Sequence, residues 1–183
     1  SGNLTKNGGG TQIFSGCNSS YTGATTLNGG VLQVSCLNNG GVNSSIGAST
    51  SAASNLTLNG TTLRYVGAGN TTDRQFTLGT GGGTFDASGT GTIQFTNTAA
   101  ATLTGTNAAR TLTLTGTNTG DNVLAAQLAN NGTGLTSLTK TGTGLWRLAN
   151  LNNTYTGVTR INGGILSVDS LADGGLASSI RAA

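Results

Sequence analysis

Few residues in this chain offer chemistry. Cys17 and Cys36 are its two cysteines, 19 residues apart. If strands stack in layers at about that interval, the two side chains fall in adjacent layers, within reach of a disulfide suited to an oxidising exterior. Two buried small apolar residues, or free thiols, are the alternatives. Metal binding lacks partner ligands, because there is no His and the five acidic residues, all Asp, are scattered.

Asp73, Arg74 and Asp86 form the densest charged stretch. Polysaccharide cleavage by a β-helix needs clustered carboxylates, or a metal with a basic residue. Only a turn that stacks Asp73 near Asp86 would supply the pair. An ion pair or turn cap at a corner is the plainer reading, so no catalytic, cofactor-binding or metal residue is assigned. Tyr21, Tyr155 and Trp146 are the candidates for surface contacts with sugars. Tyr21 and Tyr155 also fall at equivalent places in a repeated motif, which favours a structural role at a corner.

The elements that would position these residues are strands. The 183 residues include 32 Gly and 34 Thr but no Pro, Met or His, and only 7% are charged. Disorder is excluded by the regular return of Leu, Ile, Val and Phe. Leu56-Thr57-Leu58, Phe76-Thr77-Leu78, Ile93-Gln94-Phe95 and Leu112-Thr113-Leu114 alternate apolar and polar residues, the period of half-buried strands. No helical pattern is sustained, although the Ala-rich stretch 123–129 would allow one turn.

The net charge of +3 is carried by dispersed basic residues beside a single Trp, which gives no groove for nucleic acid. No apolar stretch approaches the roughly 18 residues of a membrane span. The first residues lack the pattern of a signal peptide, so export would rely on an address outside this sequence.

The four strand starts step by about 19 residues, with a second apolar series between them at Leu63, Tyr65, Phe85, Leu103, Val123 and Leu124. Two strands per step describe one coil of a right-handed parallel β-helix, roughly nine to ten coils in one continuous all-β domain over residues 1–183. Gly-rich spacers such as residues 67–70 and 79–83 fall where corners tolerate positive φ. Thr and Asn in successive coils are expected to ladder along the axis. The Thr runs around residues 102–104 and 111–115 suggest a flat hydroxyl array as in ice-binding solenoids, but they lack regularity from rung to rung. Calcium-binding nonapeptides are absent.

Residues 4–49 align without a gap on residues 138–183, with 22 of 46 positions identical at a constant offset of 134. That offset is close to seven steps of 19, which predicts a whole number of coils. Leu138-Thr139-Lys140, Tyr155-Thr156-Gly157 and Asn162-Gly163-Gly164 match Leu4-Thr5-Lys6, Tyr21-Thr22-Gly23 and Asn28-Gly29-Gly30. These strings resemble the autotransporter-associated β-strand repeat, also called the passenger-associated transport repeat, of bacterial surface and secreted proteins. The first copy departs from the second with Ser20 before Tyr21, and with Cys17 in place of Leu151. The resemblance implies an extracellular β-helix with adhesive, matrix or filament roles, and it carries over no catalytic residue.

The expected function is a non-catalytic structural module of an extracellular fibre or surface protein. Neither end shows an amphipathic cap. The axis is therefore expected to continue, into further repeats or into identical subunits stacked head to tail. A carbohydrate- or surface-binding adhesin domain is the alternative.

Overall fold

The structure is a computed structural model and describes residues 1–172 and 176–180. Short alternating segments can bury only one side each, and here they do so by stacking into three sheets around one interior. The first sheet contains β1 (Leu4–Asn7), β3 (Thr25–Asn28), β5 (Leu56–Leu58), β8 (Thr77–Leu78) and β11 (Thr102–Leu103). The second contains β2 (Thr11–Phe14), β4 (Gly30–Val34), β6 (Thr61–Tyr65), β9 (Gly83–Ala87), β12 (Arg110–Gly116), β14 (Thr136–Lys140) and β16 (Thr159–Ile161). The third contains β7 (Asn70–Thr72), β10 (Ile93–Phe95), β13 (Asn122–Leu124), β15 (Leu145–Leu148) and β17 (Ile165–Val168).

Every strand pair among the described residues is parallel, and each circuit of the sheets is one turn of a solenoid. The interior consists of axial columns. Leu27, Leu58, Leu78 and Leu103 succeed one another in the first sheet, and Leu32, Leu63, Phe85 and Leu114 in the second. Phe85 also meets Phe76 edge-on, with ring centroids 5.0 Å apart, and Phe95 at 4.6 Å. Each buried Leu or Phe contributes on the order of 2 kcal/mol, so the thin core draws its stability from column length.

The coil is larger than the sequence suggests. There are about seven turns of about 24 residues, not nine or ten of 19. The four strand starts that gave the shorter step do not share a face. Leu56 and Phe76 belong to the first sheet, Ile93 to the third and Leu112 to the second. A turn contains up to three strands, and its length varies with the loops at its corners. In the second sheet Thr11 pairs with Val31, Val31 with Thr62, Thr62 with Thr84 and Thr84 with Thr113. The step is 31 residues where the chain leaves the sheets between Val34 and Leu56.

The offset of 134 is not a whole number of turns. The first copy lays β1 and β3 in the first sheet and β2 and β4 in the second. The second copy lays the matching β14 and β16 in the second sheet and β15 and β17 in the third. It therefore returns after five turns and one further face. Residues 173–175 and 181–183 of that copy lie outside the described residues.

Candidate functional surface

Each repeat is built around a buried lysine. In the first, the Lys6 ammonium donates to the carbonyls of Gly8, at 2.9 Å, and Gly29, at 2.8 Å in the next turn. In the second, the Lys140 ammonium donates to the carbonyls of Thr141, Gly142 and Gly163. Lys140 is fully buried, and the loss of water pushes its pKa down. Gly30 and Gly164 adopt φ of +63° and +64°, and a Cβ on either would lie within 2.8 Å of the lysine Nζ. The spacing from Lys to Asn-Gly-Gly thus records a clasp between turns.

The Tyr-Thr-Gly string is equally local. Tyr21 Oη lies 2.8 Å from Thr25 Oγ1, and Tyr155 Oη lies 2.8 Å from Thr159 Oγ1. The glycine that follows packs on the preceding turn: Gly23 N–H donates to the Gly2 carbonyl, and Gly157 N–H to that of Thr136. Burial raises both tyrosine pKa values. The same contacts recur at two different corners of the solenoid, so the repeat is a self-contained corner unit.

This geometry corrects two of the three aromatic surface contacts expected of the sequence, Trp146 and Tyr155. Trp146 is 1% exposed and Tyr155 0%. Trp146 shares the inward side of β15 with Leu148, and its indole N–H donates to the Thr115 carbonyl at 2.7 Å. Tyr21 is partly buried. Trp146 and Tyr155 therefore offer no ring face to a sugar.

Nor do the carboxylates converge. Asp86, on β9, pairs with Arg64 on β6 at 2.7 Å and accepts from Ser88. Asp73 instead caps the Gly40 N–H at 2.7 Å. Beside it Arg74, 2% exposed, donates to the carbonyls of Asn38, Ser49 and Gly47, so the excursion over residues 38–49 wraps its guanidinium. Burial lowers the Arg74 pKa. Asp73 and Asp86 hold turns together and form no acid–base pair with each other.

Cys17 and Cys36 are joined as a disulfide with Cα atoms 5.3 Å apart. They follow β2 and β4, which pair, so the bond ties the first turn to the second. Cys17 is exposed and Cys36 is buried.

The outward sides of the first two sheets carry columns of threonine. On the first sheet Thr5, Thr26, Thr57, Thr77 and Thr102 succeed one another, with Thr77 covered and its hydroxyl donating to the Ala53 carbonyl. Thr62, Thr84, Thr113 and Thr139 form another on the second. Beside the latter, Gly60, Gly81 and Gly83 leave a shallow trough of about 220 Å³, edged by Thr84, Thr111 and Thr113. Threonines ladder along the axis as the sequence leads one to expect, but which ones stack could not be read from spacing, because in-register threonines lie 22, 29 and 26 residues apart. On the third sheet, Arg147 bridges Asp121, at 2.9 Å, and Asp169, at 3.2 Å, along the axis.

The passenger-associated-transport-repeat model matches residues 4–34 and 138–168, the two stretches built on the lysine clasp. The chain thus carries two passenger-associated transport repeats. Over 182 residues it is 63% identical to a protein named Adhesin BmaC autotransporter from Brucella suis biovar 1 (strain 1330). The alignment takes in 99% of this chain and 5% of that protein. No solved structure matches.

Proposed function

We propose that this passenger-associated repeat chain is a non-catalytic structural module of an adhesin-type passenger at the bacterial surface, in which successive coils stack along one axis. The observation that carries this reading is the set of three parallel sheets wound around one interior, along which the two matching repeats lie on the same axis. The adhesin name of the similar Brucella protein supports the reading. Antibody fragments raised to the folded chain should label intact cells that produce the native protein, and labelling only after lysis would sink surface display. The denatured native protein should run far above 17.9 kDa; a band at that mass would instead mean separate subunits stacked head to tail.

The hydroxyl-lined trough on the second sheet favours a second reading, direct contact with glycans or hydroxylated surfaces. Selective binding on a glycan array, lost in a Thr84→Val, Thr113→Val variant, would support it. A blank array would leave the chain as a spacer.

A further inference from the structure

A notch opens at the corner where the chain leaves the third sheet. Asn150, just after β15, reaches back over two turns. Its Nδ2 donates to the Ala125 carbonyl at 2.7 Å and to the Thr98 carbonyl at 3.0 Å. Beside this clamp lies a hollow of about 360 Å³ lined by Thr98, Ala149, Asn150, Leu151 and Asn152, a size that suits a small ligand. Its walls belong to the turns of β10 and β15, and the turn of β17 lies beyond them.

Leu151 is 52% exposed there. At the matching place the first repeat has Cys17, which is tied into the disulfide. The second repeat thus sets a bare aliphatic side chain, next to Ala149, in a hollow that is otherwise polar.

The backbone around the hollow is already committed. Asn150 takes the carbonyls of Thr98 and Ala125, the Asn152 N–H donates to Asn150 Oδ1 at 2.9 Å, and the Asn152 carbonyl accepts from Gln127. An extended peptide finds no open ladder to join. Among the described residues, the lining groups left without a hydrogen bond are the Asn152 side-chain amide and the Thr98 hydroxyl. None of these lining residues is charged, so nothing in the hollow would pair with an acidic ligand.

We infer that the notch binds the acetamido group of a neutral N-acetylated sugar. The acetyl methyl packs on Leu151 and Ala149, the ligand amide pairs with that of Asn152, and a ring hydroxyl meets Thr98. The inference rests on the reading of direct contact with glycans, and it places that contact in the notch instead of the threonine trough.

N,N′-diacetylchitobiose and cellobiose share one linkage and differ in acetamido against hydroxyl groups. In NMR titrations of the full chain, diacetylchitobiose should shift the Leu151 methyl and Asn152 amide signals saturably, and cellobiose should bind at least about tenfold more weakly. Leu151→Ser and Asn152→Ala should each weaken diacetylchitobiose, with unchanged β12 amide signals reporting an intact fold. Thr84→Val, Thr113→Val should leave it unaffected. Equal binding of the two sugars, or of N-acetyl-alanine methylamide as tightly as diacetylchitobiose, overturns the inference. Binding lost only in the Thr84→Val, Thr113→Val variant overturns it while upholding the trough, and no binding of either sugar overturns it at the notch whatever a glycan array shows for the trough.

Discussion

Lys140 Nζ lies 3.2 Å from the carbonyl oxygen of Gly163, one turn further along the axis. Lys6 stands in the same relation to Gly29 at 2.8 Å. Carbonyl dipoles hold each ammonium, and among the described residues no carboxylate is hydrogen-bonded to either. A buried cation kept this way is costly to desolvate and equally costly to remove, since the carbonyls around it lose their donor.

Lys140→Met should therefore lower unfolding stability by about 2 kcal/mol in urea titrations at neutral pH. The pH dependence supplies a sharper check. Burial lowers the folded pKa of Lys140 below its unfolded value, so between the two the unfolded state binds more protons and stability rises with pH. That rise should appear in the alkaline range just below the ordinary lysine pKa and vanish in the variant. Tyr21, Tyr65 and Tyr155, whose pKa values burial raises, act oppositely and only above the ordinary tyrosine value. A wild-type profile parallel to that of Lys140→Met below that point would show that the ammonium is not desolvated.

Arg74 plays the corresponding part for the excursion over residues 38–49. Arg74→Met leaves several loop carbonyls without a buried donor, and a loss of about 3 kcal/mol is expected. Limited proteolysis should then cut first within residues 38–49, while the strands stay intact. Cleavage sites unchanged from wild type would mean that the loop holds its shape without the guanidinium.

The alternation in Leu56-Thr57-Leu58 or Leu112-Thr113-Leu114 is imposed by a pleat with one buried side, and it made the solenoid legible. The coil length was not, because strands on all three sheets carry the same alternation and nothing local labels the face. Leu56 and Ile93 look alike in sequence yet lie on different sheets. Corner loops of unequal length then hide the true step. Trp146 was misplaced for a related reason: its side of β15 is fixed by pairing with Asn122 and Leu166, which sequence alone does not reveal. The lysine clasp left a visible trace as Lys and Gly-Gly at fixed spacing, but its meaning needs the turn above.

Register offers a direct test of the longer coil. Thr84 and Thr113 are paired across adjacent strands, 29 residues apart, with Cα atoms near the ~4.8 Å strand spacing. In a Cys17→Ser, Cys36→Ser background, Thr84→Cys with Thr113→Cys should oxidise to an internal crosslink. Thr84→Cys with Leu103→Cys, the pair a 19-residue coil would bring together, should not. The reverse pattern, read by mass spectrometry after digestion, would restore the shorter coil.

The disulfide makes its own prediction at the other edge. Cys17 and Cys36 close a loop of about 19 residues between the first two turns. By chain entropy such a closure is worth about 3 kcal/mol, a model-dependent figure. Because the bond follows an edge strand that is paired on one side only, its loss should act locally before it acts globally. Reduction, or the double replacement Cys17→Ser, Cys36→Ser, should speed amide exchange in β1 and β2 while β9 and β12 keep their protection. Alkylation without reductant should label neither cysteine. Uniform loss of protection through all seven turns would mean that the first turns and the interior unfold as one unit. Full labelling of both thiols in the native protein would mean that the second turn holds the edge by strand pairing alone.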